Sequence, residues 1–207
     1  MKLINEIKKL EKSNIKKKIK SRLNEFSSFK NKPNDEWFSE LCFCILTANS
    51  KARTAIAIQK ELGHEGFLHH SMKELIECIK RNKHRFHNNK ARFIHEARKY
   101  QKIKDILRGK SSVESREWLV KNIKGIGCKE ASHFLRNVGY FDLAILDRHV
   151  LNLMLENKII KEKPKSLTKK NYFEIEEKFN SLAKKANMSI AELDLNMWYL
   201  KAGDVLK

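Results

Sequence analysis

The chain is predicted to be all-α. Two observations carry that prediction. Only 2 prolines and 7 glycines stand among 207 residues, whereas hairpins and sandwiches consume such turn residues at every reversal. Apolar residues also recur at three- and four-residue steps, the period of a helix with one buried face.

Residues 3–26 read as one amphipathic helix, with Leu3, Ile7, Leu10, Ile15, Ile19, Leu23 and Phe26 on its apolar side and a run of lysines opposite. Pro33 breaks the chain. From Asp35 to Asn49 the run Trp37, Phe38, Leu41, Cys42, Phe43, Ile45, Leu46 is apolar almost all round, which predicts a central buried helix. Short helices follow over 51–62 and 72–80, separated by Gly63 and Gly66. The stretch Arg85–Lys90 reads as a loop opening a helix over 91–102. Ser111 and Glu114 have capping-box spacing before a helix containing Trp118, Leu119 and Ile123. A Gly125–Gly127 turn then reverses the chain into a helix over 129–138, which Gly139 stops. Asp147 opens a helix over 150–157, a charged linker with Pro164 spans 161–170, and two last helices cover 172–186 and 190–202.

Composition narrows the class. Lys and Arg number 44 against 25 acidic residues, a formal charge of +19. Polyphosphate is the commonest partner that rewards such an excess, although lysine-rich surfaces also occur where nothing is bound. Cys42, Cys44, Cys78 and Cys128 have no metal-ligand spacing and need not be a disulfide framework. No apolar run approaches the roughly 18 residues of a membrane span, and the N-terminal lysines are interrupted by acidic residues, unlike a targeting peptide. A soluble intracellular protein of the cytoplasm or nucleoid is expected. His84, His87 and His95 lack a partnering carboxylate or cysteine at ligand spacing, so no metal site is expected and they read as solvated or turned toward a polyanionic partner such as DNA, should the basic surface bind one.

The chemistry gathers around Ile123-Lys124-Gly125-Ile126-Gly127-Cys128-Lys129, followed by Gly139 and by Asp147-Arg148-His149. Glycines let backbone N–H groups approach a phosphate at a helix N-terminus. A lysine beside them is a candidate nucleophile, and a carboxylate can assist it. An attacking amine must be neutral; the helix N-terminus, partial burial and the cations Lys121, Lys124 and Arg148 are expected to disfavour its charged form.

Helix–turn–helix with Gly-Ile-Gly at the turn resembles the helix-hairpin-helix motif, and the further Lys129, Gly139 and Asp147 resemble the DNA glycosylase superfamily built on it. Ile45-Leu46-Thr47-Ala48-Asn49-Ser50 resembles the helix end inserted into the gap left by a flipped base, and Phe86-His87-Asn88-Asn89-Lys90-Ala91 the aromatic-Asn-x-Lys-Ala loop of endonuclease III. Leu193-Asp194-Leu195, Trp198, Leu200, Gly203 and Val205-Leu206-Lys207 resemble the compact archaeal-type 8-oxoguanine DNA glycosylases. Three departures stand out: Ile123-Lys124-Gly125 replaces Leu-Pro-Gly, no cysteine follows Cys128 to hold an iron–sulfur cluster, and His133 takes the place of a base-stacking cysteine.

The resemblance implies two helical lobes with a DNA-binding cleft between them. Residues 33–141 form one, with the hairpin at about 114–138; residues 1–32 and 142–207 form the other. It implies a bifunctional glycosylase/AP lyase that excises 8-oxoguanine from duplex DNA through a lysine Schiff base and cuts by β-elimination. Lys129 is the nucleophile and Asp147 its assistant. Lys207, Trp198, Phe86, His133 and Asp194 recognise the base, Lys207 through a terminal carboxylate folded back to accept from the lesion's N7–H. Asn49, Lys124, Gly125, Ile126, Gly127, His149, Asn88 and Lys90 bind DNA. The partner is double-stranded DNA containing 8-oxoguanine or abasic sites; the protein is a monomer with no cofactor, metal cluster or membrane association. Each assignment has a plain structural counterpart: a phosphate-holding lysine, a helix cap at Asp147, a buried His149, core aromatics, a solvated Asp194, a loose end at Lys207. A related glycosylase for another damaged base, or a non-catalytic hairpin module, stays open.

Overall fold

A computed structural model describes residues 2–207. The helices are α1 Lys2–Leu10, α2 Asn14–Ser28, α3 Asn34–Thr47, α4 Ala52–His69, α5 Met72–Arg81, α6 His87–Ala97, α7 Ile103–Leu107, α8 Ser112–Asn122, α9 Cys128–Asn137, α10 Arg148–Glu156, α11 Lys169–Ala186 and α12 Ile190–Ala202, with no strand among the described residues.

Local chemistry sets most boundaries. Ser71–Glu74 and Ser111–Glu114 form reciprocal capping boxes at α5 and α8, satisfying N–H groups that a helix leaves orphaned. Gly203, at φ 70°, ends α12. Two expectations are corrected. The 3–26 helix is two helices, because Ser13 accepts from the Ile15 N–H and starts α2 afresh; the five-residue step from Leu10 to Ile15 already breaks the apolar phase. The Arg85–Lys90 loop is shorter than expected, since α6 begins at His87 and the Lys90 N–H donates to the Phe86 carbonyl. Gly63, at φ 60°, does end a straight helix, but α4 resumes beyond it to His69.

Burial divides into clusters. The apolar side chains of α3–α9, from Trp37 to Leu143, form one, with every residue of α3 from Trp37 to Thr47 buried. Leu3 and Ile7 of α1 join α10, α11 and α12 in a second, and Ile19, Phe26, Leu195 and Val205 form a third. Two buried ion pairs cross between clusters. Arg116 of α8 grips both oxygens of Glu176 on α11 at 2.6 and 2.9 Å, and Glu176 also accepts from the Ala144 N–H at 3.0 Å. Arg136 of α9 meets Asp194 of α12 at 2.5 Å. Removing one partner of such a pair strands a buried charge, at about 3–5 kcal/mol.

Candidate active site

The hairpin is fixed by one glycine above all. Gly125 has φ 84°, and a Cβ there would stand 2.5 Å from the Phe93 ring. Ile126 turns inward and is buried in the first cluster. Gly127 then caps α9, its N–H donating to Glu130 Oε2 at 3.2 Å. Lys124 reaches Glu96 at 2.9 Å, a contact exposed enough to add at most about 1 kcal/mol to the turn.

Lys129, His133 and Arg136 follow at i, i+4 and i+7 on one face of α9, the spacing that stacks side chains along a helix. They line a cavity of about 420 Å³. Across it stands Asp147, the N-cap of α10, whose Oδ1 accepts from the Val150 N–H at 2.8 Å. Asp194 and Trp198 face the same space from α12, along with His149 and Lys207. The His149 and Trp198 rings meet edge to face, centroids 6.2 Å apart.

Electrostatics differ from expectation beside the lysine. Lys124 is engaged by Glu96, and Lys129 is paired with a carboxylate: its Nζ lies 2.8 Å from Glu130 Oε1. Arg148 lines the same cavity. Burial, aided by the charges of Arg136, Lys129 and Lys207, holds His133 well below the usual histidine range. Its Nε2 is buried without a hydrogen-bond partner among the described residues. Burial also raises Asp194 to about 6, against the pull of Arg136 and with a further push from Asp147. Asp194 is therefore no solvated carboxylate, and one of its oxygens is already engaged by Arg136.

Other predicted residues lie elsewhere. Phe86 is exposed, with the Arg85 guanidinium 4.5 Å from its ring centre, and does not line the cavity. Asn88 is exposed in the first turn of α6. Lys90 is corrected: it is buried, and its Nζ donates to the Ile45 carbonyl at 2.6 Å. Burial brings it down to about 8, with Glu130 opposing and Lys129 adding to the fall. The buried His84 places Nε2 2.9 Å from the Leu46 carbonyl, so it too is neither solvated nor DNA-facing. Both side chains answer the carbonyls left open at the end of α3. The turn they support carries Asn49, exposed and at φ 60°.

Sequence reasoning missed Glu130, Arg136 and Glu40. Glu130 had a signal, the capping spacing from Gly127. Glu40 had one too, as the lone charge between Trp37 and Thr47.

A family model described as 8-oxoguanine DNA glycosylase matches residues 19–188. The chain belongs to the 8-oxoguanine DNA glycosylase family. Among relatives, it is 52% identical to the 8-oxoguanine DNA glycosylase/AP lyase of Methanocaldococcus jannaschii, over 100% of both chains. Among solved structures, the 8-oxoguanine glycosylase/lyase of the same organism, in complex with a 15mer DNA containing 8-oxoguanine, superposes with a TM-score of 0.98 at 51% identity, covering 100% of each chain. The 8-oxoguanine DNA glycosylase of Thermotoga maritima gives 0.94 at 42% identity, over 100% of this chain and 99% of that one. The fold is thus matched to these two solved structures along the whole length of the chain.

Proposed function

We propose that the protein is a bifunctional DNA glycosylase/AP lyase that excises 8-oxoguanine from duplex DNA. One observation carries the reading: Lys129 and Asp147 face a single cavity in a chain 52% identical to the Methanocaldococcus jannaschii glycosylase/lyase.

The basic surface and the hairpin amides hold the DNA backbone. The damaged nucleotide leaves the stack, at an unpairing cost of a few kcal/mol, and Asn49 fills its place. Lys129 Nζ attacks the sugar C1′; the C1′–N9 bond breaks and the base departs with the electron pair. Asp147, capping α10 through one oxygen, offers its negative charge to the electron-poor sugar. The amine and C1′ become a Schiff base with the sugar ring opened. Loss of a C2′ proton then expels the 3′ phosphate, and water releases Lys129.

Trp198 provides a flat wall for the extruded base, and His133 an unengaged ring nitrogen. Lys207 and Asp194 complete the base side, and Phe86 meets DNA outside the cavity. His149, Asn88, Lys124, Gly125 and Gly127 belong to the DNA-facing surface, to which Ile126, its side chain buried in the first cluster, adds only main chain. The cleft separates two lobes, residues 33–141 and residues 1–32 with 142–207, and the protein acts as a monomer inside the cell.

Borohydride trapping on duplexes carrying 8-oxoguanine, an oxidised pyrimidine or an abasic site tests the reading. A covalent adduct with the 8-oxoguanine duplex is expected. An adduct only with the pyrimidine lesion overturns the substrate, and no adduct on any duplex overturns catalysis.

A further inference from the structure

Glu40 is a carboxylate in the most buried helix of the molecule, with only 2% of its surface exposed. Such a charge is costly unless it is paired and hydrogen-bonded. Its Oε1 accepts from Gln59 at 2.9 Å and its Oε2 from Asn137 at 3.0 Å. Its ion-pair partner is the ammonium of Lys207, which bonds to Oε1 and lies 4.8 Å from the centre of the Phe43 ring. Lys207 therefore spends its side chain inward on Glu40 while the residue itself forms part of the cavity wall.

The anchor is continuous with the other side of the site. Asn137 Oδ1 accepts from Arg136 Nε and Nη2 at 3.2 and 2.9 Å, and Arg136 Nη1 reaches Asp194 at 2.5 Å. Acid and base alternate from Lys207 through Glu40 and Arg136 to Asp194, so each buried charge is answered by its neighbour.

We infer that Glu40 is a positioning residue for base recognition, holding Lys207 where its main chain meets the extruded base. The inference rests on the proposed excision of 8-oxoguanine. This lesion differs from guanine at N7, which carries a proton in the one and a lone pair in the other. An acceptor reads that difference only from a fixed position; a mobile one adjusts to either base. With its ammonium held at Glu40, the hydrogen-bond acceptors that Lys207 can offer the cavity are those of its main chain. The ion pair supplies the fixity, and Glu40 acts on the base without touching it.

The test compares single-turnover excision of 8-oxoguanine with cleavage of an abasic-site duplex, which has no base to recognise. The ratio of the two rates within one preparation is independent of how much of it is folded. In Glu40→Gln the ratio should fall about tenfold, as expected for one poorly met buried N–H. Lys207→Met, which keeps the main chain and removes only the ammonium, should lower it similarly. The double variant should be no worse than the more affected single one, because both cut one contact. An unchanged ratio in either single variant, or additive losses, overturns the inference; if Glu40→Gln does not fold, Lys207→Met decides alone. Wild-type protein that cleaves abasic sites but leaves 8-oxoguanine intact overturns the underlying substrate reading instead.

Discussion

Glu130 holds two groups at once: its Oε1 lies 2.8 Å from Lys129 Nζ, and its Oε2 accepts from the Gly127 N–H. The proposed nucleophile and the hairpin amide nearest to it thus share one carboxylate. The amine attacks only after this pair opens, since a lone pair engaged with a proton cannot bond to carbon. A DNA phosphate bound at the Gly127 N–H, as proposed, would displace the same carboxylate. Glu130→Gln keeps an oxygen for that N–H and removes the counter-charge. Cleavage of an abasic duplex at neutral pH should rise about fivefold, equivalent to ~1 kcal/mol for a partly exposed pair. A fall in single-turnover rate would instead make Glu130 an aid to the amine.

Lys129→Gln retains length and a hydrogen-bonding head but has no nucleophile. Base excision, strand cleavage and borohydride trapping should all vanish, with duplex affinity in a gel-shift titration within about threefold of wild type, since phosphate contacts carry the binding. Trapping at the wild-type level would remove Lys129 from the mechanism.

Asp147→Asn separates two duties. Asn caps a helix about as well as Asp, so Val150 keeps its acceptor and the melting temperature should move by no more than about 2 °C. Excision should nevertheless fall by roughly two to three orders of magnitude, the usual cost of losing a charge aimed at the transition state. A stability collapse with full activity in the folded remainder would leave Asp147 a cap only.

Gly125→Ala meets two obstacles, a backbone at φ 84° and the Phe93 ring. A loss of about 1–3 kcal/mol in stability is expected, together with weaker duplex binding. Adding Phe93→Leu should recover the steric part and leave the backbone strain. Denaturant melts of both variants check this; an unperturbed Gly125→Ala would mean that the turn tolerates another conformation.

Lys90 supplies a pH signature. Its folded value near 8 lies below the ordinary 10.5, so the unfolded chain holds more protons between those values and stability rises with pH there. Relative to Lys90→Met, wild type should gain up to about 3 kcal/mol between pH 8 and 10.5 and nothing more above that. A flat difference in chemical denaturation across this window would show that the amine titrates normally in the fold.

How much of this was legible in the sequence differs by kind of signal. The hairpin, the α3 core helix and the Asp147 cap all rest on short-range patterns, namely glycine spacing, apolar periodicity and an acid before a helix, and these read directly. Breaks set by competition were harder: Ser13 divides a helix whose face looks continuous until the phase at Leu10 and Ile15 is counted. Lys90 and His84 defeated the reading because their partners, the carbonyls of Ile45 and Leu46, lie some forty residues away. A carbonyl needing a donor leaves no trace in side-chain sequence. The same applies to Glu40, whose lone charge was visible but whose match with Lys207 is purely tertiary.

The Arg116–Glu176 and Arg136–Asp194 pairs bear on who bends when protein meets substrate. Each joins helices of different clusters through buried charges, and opening either one leaves buried ions without their counter-charge. The two sides of the cavity are clamped at a set separation rather than hinged. The deformation needed for recognition then falls on the nucleic acid, so duplexes that kink readily at the damaged step are the ones such a stiff frame engages most cheaply.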